Sequence, residues 1–158
     1  MNRGFTLVEV LVVAGVIAVL YGLVSLRLIN VSQIASVKNP VNQLVTDVKN
    51  QQTRAMATDT QGSGVVSDYG IYFETSRYTV FRGSSYSAVD PYNLVVNLPS
   101  RVQFSSITFP ASTLQFGKGS GELPGFIGSQ NTVTIRNIDS GEQKTVTVNR
   151  YGVVTGVN

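Results

Sequence analysis

The chain has no cysteine, no histidine and no tryptophan. Without Cys, disulfides and thiolate metal sites are excluded. Without Cys and His together, the commonest nucleophile–base pairs and the commonest transition-metal ligands are missing as well. An enzyme made from this sequence would have to work with carboxylates, Lys, Tyr and Ser, and no motif arranges them for catalysis. We therefore expect a non-enzymatic protein with no cofactor and no metal. Charge is also scarce: 13% of the 158 residues are charged against 42% hydrophobic, and the formal net charge is only +3. That balance is too mild for a nucleic-acid polyelectrolyte.

Much of the apolar share sits at the N-terminus. After Met1-Asn2-Arg3-Gly4, the span from Phe5 to Leu26 holds one side chain that is charged at neutral pH, Glu9. A helix over that span is about 33 Å long, enough to cross a bilayer core. The run is too long for a cleaved secretory signal, and Tyr21-Gly22-Leu23-Val24-Ser25-Leu26-Arg27 offers no small-x-small cleavage site. A plain anchor fits the length and leaves Glu9 to snorkel toward headgroups. A cut after Gly4 gives Glu9 more to do. It creates an α-amino group on the same helix face four residues away, so carboxylates and amines of packed copies pair and set axial register.

Gly4-Phe5-Thr6-Leu7-Val8-Glu9, after a four-residue leader containing Arg3, resembles the prepilin motif of type IV pilins and type II secretion pseudopilins. The resemblance implies cleavage between Gly4 and Phe5 by a membrane aspartic peptidase, N-methylation of Phe5, and Glu9 as the assembly carboxylate. It also implies other pilin or pseudopilin subunits, the prepilin peptidase and N-methyltransferase, an inner-membrane assembly platform and membrane lipid as partners.

Beyond the apolar segment, Val41, Leu44, Val45, Val48, Ala55 and Met56 recur at helical spacing and predict a helix with one apolar face. Pro40 either kinks a continuous helix or starts a second one with Asn39 as its cap. Thr58 to Gly64 reads as a turn, and the chain beyond it is strand-like. Tyr69–Phe73 and Tyr78–Phe81 flank a hairpin turn. Leu94–Leu98, Val102–Phe104 and Leu114–Phe116 come next. Thr132–Arg136 and Thr145–Asn149 alternate on either side of Asp139-Ser140-Gly141-Glu142. The expected fold is α+β, a long N-terminal transmembrane helix followed by a C-terminal antiparallel β-sheet globular domain. Its parts are a leader over 1–4, the transmembrane helix over 5–26, a soluble continuation of that helix over 27–58, and a β-rich domain over 59–158. Asp68–Phe73, Tyr78–Phe81, Leu98–Val102 and Lys144–Gly152 are similar to the GspH/FimT type of minor pseudopilin. That resemblance implies a filament subunit in the bacterial inner membrane, single-pass, with its C-terminal domain extracytoplasmic.

Three other patterns carry weaker signals. Gly117-Lys118-Gly119-Ser120-Gly121 lacks the Ser or Thr directly after Lys that a phosphate loop needs. The scattered acidic residues form no calcium ladder. Tyr69, Tyr72, Tyr78, Tyr86, Tyr92 and Tyr151 with Arg77, Arg82 and Arg150 would suit stacking on single-stranded nucleic acid. Some FimT-like pilins bind DNA through a C-terminal Gly-Arg-x-Arg-like segment, and here only Arg150 stands near Gly152. A DNA-binding uptake pilin with Arg150 as contact is thus the alternative function.

Overall fold

A computed structural model describes residues 6–31 and 36–158, with side-chain surroundings for 6–21 and 36–158. The chain divides into two compact units, Met1–Ile34 and Ala35–Asn158.

In the first unit, α1 spans Leu7–Val31. The expected α+β fold with a long transmembrane helix is corrected here. Among the described residues, no helix is long and apolar enough to cross a membrane. The single-pass inner-membrane placement with an extracytoplasmic domain falls with it. The physical reason begins in the first turn, where Glu9 keeps a carboxylate. Between Glu9 and Arg27 the sequence is uncharged from Val10 to Leu26, about 26 Å of helix rise, against about 30 Å of hydrocarbon.

In the second unit, α2 spans Lys38–Met56. Ser36 and Val37 lie outside any helix, so Pro40 belongs to the opening turn of a new helix. Pro is tolerated there because a first-turn N–H has no intrahelical acceptor. Val37, rather than Asn39, occupies the cap position and makes no side-chain cap bond. Its own N–H donates to Glu142 Oε2 at 3.4 Å, and the Lys38 N–H donates to Ser36 Oγ at 3.2 Å. Val41, Leu44, Val48, Gln51 and Ala55 recur every three or four residues and form the buried face.

Eight strands complete the unit: β1 Tyr69–Phe73, β2 Arg77–Arg82, β3 Leu94–Asn97, β4 Val102–Ile107, β5 Thr113–Phe116, β6 Thr132–Asn137, β7 Gln143–Val148 and β8 Val154–Val157. They form two four-stranded sheets, ordered β3-β2-β1-β5 and β4-β6-β7-β8. Every pairing is antiparallel. β4 slips register between Phe104 and Ser106, and β7 between Thr147 and Val148.

The period of two sets the core. Tyr69, Ile71 and Phe73 of β1 share a face with Tyr78 and Val80 of β2, while β6 and β7 contribute Val133, Ile135, Val146 and Val148. Helix α2 contacts β1 and β5 of one sheet and β7 of the other, so one hydrophobic cluster joins both sheets. Phe73 sits at its centre, edge-on to Phe104 at 5.3 Å and stacked on Phe109 at 5.8 Å. Burying each such side chain contributes about 1.5–3 kcal/mol.

Candidate functional site

Gly4 and Phe5, expected to flank a cleavage site, lie outside the described residues. Glu9 lies within them, one turn into α1. The Thr6 N–H donates to Glu9 Oε2 at 3.5 Å, and the Glu9 N–H donates to Thr6 Oγ1 at 3.3 Å. The two residues thus form a reciprocal capping box, which occupies two backbone donors that a helix start leaves unpaired. A carboxylate in this position also faces the positive end of the helix dipole. Sequence reasoning assigned Glu9 to assembly and missed this local role. The signal was present in Thr6-Leu7-Val8-Glu9, a Thr-x-x-Glu pattern ahead of an apolar run.

Beyond this start the described part of the helix, as far as Tyr21, is apolar on every side. Leu7 is 81% exposed, Leu11 67% and Ile17 53%, and a shallow groove runs along Leu7, Val10, Leu11 and Ala14. These side chains come from different turns and different directions around the helix axis. A helix apolar all round, rather than along one stripe, is of a kind normally covered on all sides. The chemistry available at this end is therefore a carboxylate held at a helix start, followed by a long apolar surface.

The tyrosines and arginines do not gather on one surface. Tyr69 and Tyr78 are buried in the core. The Tyr69 hydroxyl donates to the Asp59 carbonyl at 2.7 Å, and the Tyr78 hydroxyl donates to Asp47 Oδ2 at 2.5 Å. Burial pushes both phenols above the ordinary tyrosine value; the Asp59 charge adds to the rise at Tyr69, and the bond to Asp47 adds to it at Tyr78. Arg77 makes two bonds to Glu74, and the bond from Arg77 holds that carboxyl below its ordinary value. Arg82 donates to the Thr60 carbonyl and Ser63 Oγ while lying 4.5 Å from the Tyr92 ring centre. Arg150 is exposed in the turn between β7 and β8, its guanidinium 5.7 Å from the Tyr151 ring centre. Asn149 builds that turn, with Oδ1 accepting from the Tyr151 and Val153 N–H groups.

The glycine-rich loop 117–121 is docked rather than open. The Lys118 N–H donates to Asp68 Oδ1 at 2.9 Å, and the Gly119 N–H donates to the Ala55 carbonyl at 2.8 Å, serving the end of α2. Among the described residues, no three His, Cys, Asp or Glu side chains come together as a metal site.

Comparison with known proteins bears on the N-terminus. No curated protein and no solved structure matches the chain. Residues 1–24 match the family described as the prokaryotic N-terminal methylation motif. Such a motif implies processing by a peptidase and methyltransferase, and fits a non-enzymatic structural protein. By these residues the chain is similar, at a general level, to prepilins and pseudopilins.

Proposed function

We propose that the chain is a structural minor subunit of a type IV pilus or a type II secretion filament, assembled through its N-terminal helix. Residues 1–4 serve as the leader. Cleavage falls between Gly4 and Phe5, and Phe5 becomes the methylated terminus. The observation that carries this reading is the apolar, exposed surface of α1, which equivalent helices of neighbouring subunits would bury. Glu9 then has two uses. In the uncleaved chain it caps α1 through Thr6, and after cleavage a terminal amine, its own or a neighbour's, becomes a stronger partner. Apolar packing supplies affinity and the carboxylate supplies register. The β-rich residues 59–158 present the outward surface of the subunit. The peptidase and an assembly platform are the other partners.

The test is incorporation. In cells with an intact filament system, Glu9→Val should leave the protein processed and present yet absent from sheared filaments, while Glu9→Asp should restore part of the signal. Wild-type incorporation by Glu9→Val would sink the assembly role. Mass spectrometry finding Met1 retained in such cells would sink the processing step.

A further inference from the structure

The outer face of the β3-β2-β1-β5 sheet carries a second aromatic cluster, separate from the core. Phe81 lies over Gly70, where an added Cβ would stand 2.6 Å from Phe81 Cζ. Tyr86, from the loop after β2, stacks flat on Tyr72 with ring centres 4.1 Å apart and planes 8° apart, and meets Phe81 edge-on at 5.7 Å. Beside this stack is a cavity of about 420 Å³. It is lined by Tyr72 and Gln115 of the sheet and by residues of segments 84–86, 109–114 and 123–130.

Two features of the lining define its chemistry. No Asp, Glu, Lys or Arg is among the lining residues, whereas Tyr72, Tyr86, Phe109 and Phe126 are. At the rim, the hydroxyls of Ser84 and Ser85 and the amide of Gln130 make no side-chain hydrogen bond to the described residues. A turn beside the cavity is strained: Ala111 and Ser112 have φ of 48° and 54°, a region non-glycine residues seldom occupy.

We infer that this cup binds an uncharged saccharide. A pyranose lays an apolar C–H face on an aromatic ring and directs hydroxyls outward, which suits an uncharged lining that holds Phe126 beside the tyrosine stack, with free Ser and Gln side chains. A neutral ligand needs no counter-charge, and the site offers none. The volume lies within the usual range of small-ligand sites.

The test uses the full chain in a detergent without a sugar headgroup, with triacetylchitotriose, maltotriose and a proline decamer as probes in saturation-transfer NMR. We expect transfer to ring protons of at least one saccharide and none to the decamer. Tyr86→Ala should weaken binding about fivefold to tenfold, the worth of an aromatic contact. Tyr86→Phe should retain most of it, and Tyr92→Ala, outside the cup, should change nothing. Exposed Gln130→Ala provides a second reduction that does not endanger folding. Absence of transfer to both saccharides, transfer to the decamer alone, or equal binding by the wild type, Tyr86→Ala and Gln130→Ala would each overturn the proposal.

Discussion

Gly152 and Gly141 have nearly the same backbone, with φ of 78° and 73°, in opposite surroundings. An added Cβ at Gly141 meets nothing within 4 Å. At Gly152 it would stand 2.6 Å from the Gly121 carbonyl oxygen, 2.7 Å from Gln52 Nε2 and 2.9 Å from Phe116 Cε1. Alanine at Gly141 should therefore cost only the left-handed conformation, about 1–2 kcal/mol. Alanine at Gly152 adds overpacking against a backbone oxygen that cannot swing aside, about 1–3 kcal/mol. It also displaces Gln52, whose amide donates to the Tyr151 carbonyl at 2.6 Å, a further loss of about 1 kcal/mol. The sum, about 3–6 kcal/mol, is a large part of the stability of an ordinary domain. Urea unfolding of both variants, monitored by the near-ultraviolet signal of the buried tyrosines, would measure the difference. If Gly152→Ala costs no more than Gly141→Ala, the proposed contact among α2, loop 117–121 and the last turn does not bear load.

Tyr78→Phe removes a hydroxyl that donates to the carboxylate of Asp47, which keeps Gln43 Nε2 as a donor at 3.1 Å. The expected loss in the same urea assay is about 1.5–2 kcal/mol, the lower part of the range for charged hydrogen bonds. The folded-state values of Tyr69 and Tyr78 both lie above the ordinary 10.0. Their contribution is therefore complete below pH 10 and is lost as pH rises beyond it. A tyrosinate absorbance titration should show these two ionising only together with unfolding, and early independent ionisation of either would contradict the burial described. Thr6→Ala should fray the start of α1 at a cost of about 0.5–2 kcal/mol. Hydrogen exchange would read this as faster exchange at the Thr6 and Glu9 amides, and unchanged rates would remove the capping box.

Much of the β domain was legible because its strands are half-buried and alternate. Thr132–Asn137 and Gln143–Val148 lie within two residues of the segments the alternation predicted, with the turn at Asp139-Ser140-Gly141-Glu142 between them. Tyr69–Phe73 matches the strand read from its aromatic and β-branched residues. Strand partnership was not legible. The joining of β5 to β1 and of β4 to β6 depends on which apolar faces meet across the core, not on local pattern. The break before α2 was only half visible, since Pro40 allowed both a kink and a start. Its resolution depends on Val37, a poor cap whose N–H is served by Glu142 from 105 residues away. The length of the apolar run was overvalued in the first helix, and the Thr-x-x-Glu start was overlooked. The aromatic cup could not be read from spacing, because its lining comes from separate parts of the chain.

The two sheets are stitched together by the thread that builds them. The chain lays down β1, β2 and β3, crosses to place β4, returns for β5, and only then finishes the other layer with β6, β7 and β8. A ribosome that has released everything up to Phe116 has completed one layer and left β4 with a bare flank until Thr132 to Asn137 emerge. Neither layer can be excised as an uninterrupted stretch of chain, and a premature stop before Thr132 leaves β4 without its partner strand.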